Sequence, residues 1–369
     1  MNCKYFGECG ACNFYEYDYN EALIKKRDKL MQMLEPYYKD EIELFDSPRA
    51  NHRARAEFKV WHIDSKCHLA MSNLEKNGIT IIDNCPKVIE AIESLIEPLM
   101  EYINSSNILK NKLFSIEFLS GKSGEVLVTM IYHKKLDTKW EDEAKDLEQK
   151  LNISIIGRAR KQKIVLSKEY ITEILNIDGK EYKYRYYEGG FTQPNPYINE
   201  KMIGWASRNL SSNRGDFLEC YCGLGNFTIP LSKYFDKVLA TEISKNSIKA
   251  AIENCKLNGV DNIDFIRLNA AETAEAISGV REFRRLKGID LDSFNFSATL
   301  VDPPRAGLDE ASLNLAKSID KVIYISCNPS TLAQNLKELT KTHKVKKAAL
   351  FDQFPYTTHI ESGVVLERF

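Results

Sequence analysis

No apolar run in this chain approaches the roughly 18 residues needed to cross a bilayer as a helix, so no helical membrane span is expected. An excess of one charge is also missing: 51 Lys and Arg face 52 Asp and Glu. Net charge therefore announces no nucleic-acid binder, and any basic surface must be local. The sequence has no internal repeat and no low-complexity tract. Its first residues, "MNCKYFGECGAC", lack both the basic and the apolar stretch of a secretory signal. A soluble, cytoplasmic protein is the expectation. In that compartment nine cysteines do not make a disulfide framework. Most should be free and buried, with some left as ligands or nucleophiles.

What is present suffices for two cores or one large one: 369 residues at 43% hydrophobic composition. Residues 1–45 comprise a Cys- and Tyr-rich segment and a helix. The helix spans 20–36, with Leu23, Leu30, Met31 and Leu34 on one face and Pro36 at its end. Residues 46–190 read as a strand-rich α+β domain. "ARAEFKVWHI", "LFSIEFL", "EVLVTMIYH", "SIIGRAR" and "KIVLS" are its strands, interrupted by helices at 87–103 and 138–151. A linker-like "EGGFTQPNPY" follows at 188–197. Residues 191–369 then alternate strand and helix, as in a doubly wound parallel α/β sheet. The last two strands, joined by a short polar connection, are expected to pair as an antiparallel hairpin at one edge.

The first strand of this α/β half ends in "ECYCGLGNF". Gly223 and Gly225 fall in the turn to the next helix, where glycine lets the backbone approach a ligand closely, or simply makes a tight turn. Glu242 ends the second strand about 20 residues later, where such folds place a carboxylate on ribose hydroxyls. It could equally cap a helix. The third glycine of the dinucleotide fingerprint is absent, since position 228 is Thr. The fourth strand ends in "LVDPPRAGLD", whose two prolines fix a rigid turn at Asp302. This acid-Pro-Pro turn resembles a motif of S-adenosylmethionine (SAM)-dependent methyltransferases acting on nucleobases or amides.

Cys327 ends the fifth strand, in "KVIYISCNPSTLAQNLKEL". In open α/β sheets ligands bind above the carboxyl ends of the strands, so Cys327 and Asp302 should share one crevice. The helix after Cys327 is expected to favour its thiolate. Glu361 opens the last strand and should lie at the same end. On residues alone Cys327 is either a packing cysteine or a nucleophile. A thiolate, a carboxylate base and a methyl donor together suit methylation of uracil C5, a carbon too weakly nucleophilic to react until a thiolate has added to C6.

Together, "GGFTQPN", "ECYCGLGNF", "VDPPRAGLD", "ISCNP" and "LFDQFPYTTHIESGVVL" resemble the RNA uracil-5-methyltransferases. "RARAEFKVWH", "YHKKLD" and "GVREFRRLKGIDL" resemble the bacterial tRNA branch of that family. The resemblance implies a Rossmann-like SAM-methyltransferase domain and methylation of uridine 54 in the tRNA T loop to 5-methyluridine. It implies Cys327 as nucleophile and Glu361 as proton acceptor. Gln193, Tyr221, Gly223, Gly225, Asn226, Glu242 and Asp302 are implied at the SAM site, and Phe191 beside the flipped base. The implied partner is the T arm of tRNA, with other RNAs of T-loop-like fold as further substrates. A 23S rRNA uracil-5-methyltransferase, and an RNA-binding or folding protein with secondary activity, are the alternatives.

The N-terminus departs from the tRNA branch. Cys3, Cys9 and Cys12, with Cys85 as a fourth ligand, resemble the iron–sulfur motif of the 23S rRNA enzymes. Four thiolates suit a [4Fe–4S] cluster or zinc; a frayed terminus without metal is the other reading. Candidate RNA contacts are Arg53, Arg55 and Lys59; Arg158, Arg160, Lys161 and Lys163; Arg281, Arg284 and Arg285; and Arg305 in the acid-Pro-Pro turn.

Overall fold

The computed structural model describes residues 1–211 and 215–369. α1 (Tyr19–Leu34) begins at a capping box, with Asp18 accepting from the Glu21 amide and Glu21 reaching back to Asp18. Leu23, Leu30 and Leu34 are buried on its inner face as expected, but Met31 is exposed and Lys26 is buried in its place. β1 (Glu43–Phe45) follows.

The chain then builds a seven-stranded sheet from β2 (Arg55–Ile63), β3 (Lys66–Ser72) and β4 (Ile79–Ile82), then β5 (Leu113–Ser120) and β6 (Val126–Tyr132), then β7 (Ser154–Ala159) and β8 (Gln162–Val165). Its order is β4-β3-β2-β5-β6-β7-β8. α2 (Glu90–Ser105) and α3 (Thr138–Leu151) bury Ile92, Ile96, Leu99, Trp140 and Leu147 against its apolar face. β3 mixes polar and apolar residues, and β4 is only four residues long, so neither stands out in the sequence. A separate hairpin, β9 (Tyr170–Ile177) and β10 (Lys180–Tyr187), turns at Asp178–Gly179. Ile171, Leu175, Tyr182, Tyr184 and Tyr186 bury its inner face, as period-two alternation requires.

"EGGFTQPNPY" is not a free linker. Thr192, Gln193 and Asn195 are buried, and the Ala54 amide donates to the Pro194 carbonyl. Asn195 caps α4 (Pro196–Leu210), with Pro196 in the first turn, where its missing N–H does no harm.

The remaining strands are β11 (Asp216–Cys220), β12 (Val238–Thr241), β13 (Ile263–Ile266), β14 (Phe296–Val301), β15 (Lys321–Ser326), β16 (His343–Phe351) and β17 (Glu361–Arg368). The helices between them are α5 (Thr228–Leu231), α6 (Lys245–Asn258), α7 (Ala270–Ile277), α8 (Glu310–Ser318) and α9 (Pro329–Leu339). With β1 they form an eight-stranded sheet, ordered β1-β16-β17-β15-β14-β11-β12-β13. The five strands from β11 to β15 run parallel, and the order reverses beside β11, which opens a crevice at their carboxyl ends. β16 and β17 pair antiparallel as expected, but not at an edge. β17 is inserted beside β15, and β1 closes the edge by pairing parallel to β16, with Phe45 stacked on Phe351. Their polar connection is packed inside the protein: Asp352, Gln353, Tyr356, Thr357 and Ile360 are buried.

Candidate active site

The register of the sheet brings the reactive residues together. β15 and β17 pair Ser326 with Ser362, so Cys327 and Glu361 stand opposite each other, roughly one strand spacing (about 4.8 Å) apart. Val301 pairs with Tyr324, which puts Asp302 at the same end of β14. Burial, and then the Asp302 carboxyl, pushes Glu361 well above the usual carboxylate range. Burial raises Asp302 to about 7. Cys327 is pushed up to about 11 by its own burial and then by Glu361 and Asp302, against the opposing pull of Arg305. The expected thiolate is therefore not the resting form. α9 does start just after Cys327, capped by Asn328, but desolvation and two acids outweigh it.

Gln193 comes to this crevice from the buried strap. Its Nε2 donates to Asp302 Oδ2 at 3.4 Å, and its Oε1 accepts from Gln353 Nε2 at 2.7 Å. The neighbouring Asp352 accepts from Lys26 of α1 at 2.7 Å, and both are almost fully buried. Lys26 also donates to the Phe354 carbonyl. One helix outside the sheet thus fixes the connection that carries Gln353. Phe191, two residues from Gln193, is 73% exposed, a free aromatic face beside a buried amide. Arg55 holds this strap by donating to the Gly190 carbonyl at 2.6 Å.

The glycine turn lies across the switch point. Tyr221, Gly223 and Gly225 all adopt left-handed backbone, with φ of 66°, 57° and 85°. A Cβ at Gly225 would press Ile229 at 3.0 Å, whereas one at Gly223 meets nothing within 4 Å. Close packing fixes Gly225, and open space faces Gly223. Glu242 accepts from the Gly223 amide at 3.3 Å and from the Ser244 amide at 2.7 Å. Ser244, not Glu242, caps α6. Asn226 is engaged in a reciprocal amide pair with Asn199 of α4, at 2.8 Å each way. Gly223, which would leave room for a bound nucleoside, and Glu242 beside it form a cradle that fits an adenosyl group.

A family model described as tRNA (Uracil-5-)-methyltransferase matches residues 18–369. A protein of Sulfurovum sp. (strain NBC37-1), named tRNA/tmRNA (uracil-C(5))-methyltransferase, is 58% identical and aligned over 100% of both chains. One of the same name from Shewanella halifaxensis is 47% identical, over 95% of this chain and 97% of its own. The chain belongs to the tRNA (uracil-5-)-methyltransferase family. Its fold is that of the Pyrococcus abyssi tRNA (uracil-54, C5)-methyltransferase, solved in complex with S-adenosyl-L-homocysteine; the TM-score is 0.73 at 24% identity, covering 97% of this chain and 85% of that one.

The family match begins after the first three cysteines. Cys12 is buried, and Cys3, Cys9 and Cys85 are partly buried. The segment is not frayed: the Gly10 amide donates to the Ser72 carbonyl, and the Phe14 amide to the Tyr356 carbonyl. Burial raises the Cys9 and Cys12 thiols and pushes Cys85 up to about 11. Among the described residues, no group of three or more His, Cys, Asp or Glu side chains is placed to hold a metal ion. The four thiols share a neighbourhood but do not form a ligand shell, so the cluster gains no support from the geometry.

The other candidate RNA contacts divide. Arg53 is half-buried beside Cys85 and Cys12. Arg158 and Lys163 both pair with Glu188. Arg281 and Arg285 face Glu275 and Glu272 at 3.9 and 3.8 Å. Arg305 is exposed, with Nη2 3.3 Å from His359 Nδ1.

Two polar residues escaped the sequence reading. Gln353 lies in "FDQFPY" but showed no role until its bond to Gln193 was seen. Glu219 is a fully enclosed acid on β11, raised well above its usual range by burial and further by Asp302. An acid inside the apolar run "FLECYC" was the available signal.

Proposed function

We propose that this chain transfers a methyl group from SAM to C5 of uridine 54 in the T loop of tRNA, forming 5-methyluridine. The carrying observation is the convergence of Cys327, Glu361, Asp302 and Gln193 where the carboxyl ends of β14 and β15 meet the amino end of β17. Bound SAM supplies an electrophilic methyl carbon. Tyr221, Gly223, Gly225, Asn226 and Glu242 line the cradle proposed for it, and Gln193 and Asp302 orient the reacting edge.

Cys327 Sγ, having lost its proton to solvent, forms a bond to C6 of the uracil, and the C5–C6 π pair moves onto the C4 carbonyl as an enolate. C5 would then take the methyl carbon that bound SAM supplies, the C–S bonding pair staying on the thioether sulfur. Glu361 accepts the C5 proton, the C5–C6 double bond re-forms, and Sγ departs from C6 as a thiolate. Glu361 acts here in its ionised form, whose proton affinity burial raises, so the C5 proton passes to it readily once that form is present. The target base must be unstacked to reach this crevice, and the exposed ring of Phe191 is proposed to stack on it.

The test is methyl-labelled SAM with unmodified tRNA, with tRNA carrying C54, and with 23S rRNA transcripts. Label should appear in the first alone. Label confined to rRNA overturns the tRNA reading. RNAs that share a T-loop-like fold are proposed as secondary substrates, to be scored in the same assay. The [4Fe–4S] cluster on Cys3, Cys9, Cys12 and Cys85 rests on spacing alone; iron and sulfide analysis after anaerobic purification tests it, and an iron-free active protein removes it.

A further inference from the structure

A cleft of about 1070 Å³ opens where β6 ends and the β7–β8 hairpin turns. His133, Lys134, Lys135, Arg158, Arg160 and Lys161 line it, and no carboxylate does. For a chain of net charge −1 this is a concentrated local field. Two of these cations are engaged. Arg158 makes a two-point contact with Glu188 at 2.5 and 2.7 Å, and Lys134 donates to the Ile108 carbonyl at 3.0 Å. Lys135, Arg160 and Lys161 are exposed and make no ion pair among the described residues.

Two further features mark the cleft. Lys161 sits in the two-residue turn between Ala159 and Gln162 with a φ of 59°. Glycine or asparagine holds that conformation more easily, so the turn keeps a cation against its backbone preference. The register of β5 and β6 shifts at Phe114, a bulge that turns the ring outward. Phe114 is 43% exposed and stacks on His133, with centroids 4.2 Å apart. Exposed rings beside unpaired cations suit nucleotides and their phosphates.

The cleft is also tied to the crevice. Glu188, which holds Arg158 and Lys163, lies three residues before Phe191, so at most about 11 Å of chain separates the two positions. RNA flanking a base stacked on Phe191 therefore passes within a few nucleotides of the Arg158 end of the cleft.

We propose that this cleft seats the sugar–phosphate backbone of the RNA flanking the target base, with Lys135, Arg160 and Lys161 each on a phosphate. This rests on the tRNA reading above.

The experiment measures binding of unmodified tRNA transcript from 50 to 300 mM KCl, for wild type and for the Lys135→Ala/Arg160→Ala/Lys161→Ala protein. At about 150 mM salt the Kd should rise about 10–100-fold, and the log–log salt slope should fall by about 2–3, near 0.9 per lost phosphate contact. SAM affinity and kcat at saturating tRNA should stay within about twofold. Replacing Lys344, Lys346 and Lys347 of β16 with Ala should leave Kd and slope unchanged. Lys161→Gly supplies a readout that a purely structural role would not produce: equal or higher Tm with weaker tRNA binding. An unchanged Kd and slope in the cleft variant, or an equal loss in the β16 control, overturns the proposal. Wild-type protein that fails to methylate tRNA defeats the reaction instead; wild type that methylates it while the cleft variant binds normally defeats the cleft alone.

Discussion

Cys327 holds its proton at neutral pH, because its burial and the carboxyls of Glu361 and Asp302 outweigh Arg305. Single-turnover methyl transfer should therefore climb between pH 7 and 9, by up to about tenfold per unit, as the thiolate fraction grows. A flat profile contradicts a thiol that must ionise. Cys327→Ala should abolish transfer. Glu361→Gln should stall after methylation and accumulate a protein–RNA adduct that survives denaturing gels. The same substitution has a stability signature. Glu361 is raised above its unfolded value, so its contribution is fully present below the unfolded pKa and is lost as pH rises toward the folded pKa. Glu361→Gln should accordingly raise Tm over wild type more at pH 8 than at pH 5, checked by calorimetry.

Among the elements, α1 and the connection from β16 to β17 are joined through the buried Lys26–Asp352 pair. Removing one partner of a buried pair leaves a charge without compensation, a loss of about 3–5 kcal/mol. Lys26→Met should show a loss of that size in urea unfolding, and adding Asp352→Leu should recover most of it. Gln353 hangs from the same connection. Gln353→Ala should leave the fold intact but free Gln193 Oε1, and lower the methyl-transfer rate about tenfold at saturating tRNA.

In the whole molecule, the N-terminal segment ties the two sheets together. Glu8 and Gly10 bond to residues 72–74 beside β3, while Met1, Asn13 and Phe14 bond to the connection that ends at Glu361. Deleting residues 1–14 should lower Tm by several degrees and reduce methyl transfer, with SAM affinity unchanged if the proposed cradle at the glycine turn sets it. Equal losses in SAM binding and transfer would point to general unfolding.

The alternating strands from β11 onward, the glycine turn, the acid-Pro-Pro turn and the cysteine at a strand end were all readable from local pattern, since periodicity, turn chemistry and strand ends are properties of short stretches of chain. Cys327 and Asp302 could be placed at one end because a parallel sheet puts all its carboxyl ends on one side, and Glu361 joins them because it opens a strand that runs the other way. Local pattern cannot carry register or burial. The insertion of β17 beside β15, the capture of β1 at the edge, and the bond from Gln353 to Gln193 join residues up to 306 positions apart, as Glu43 and Ala349 are. The protonation of Cys327 belongs to the same class: the helix after it argued for a thiolate, and only tertiary packing supplied the desolvation and the two neighbouring carboxyls that hold the proton on.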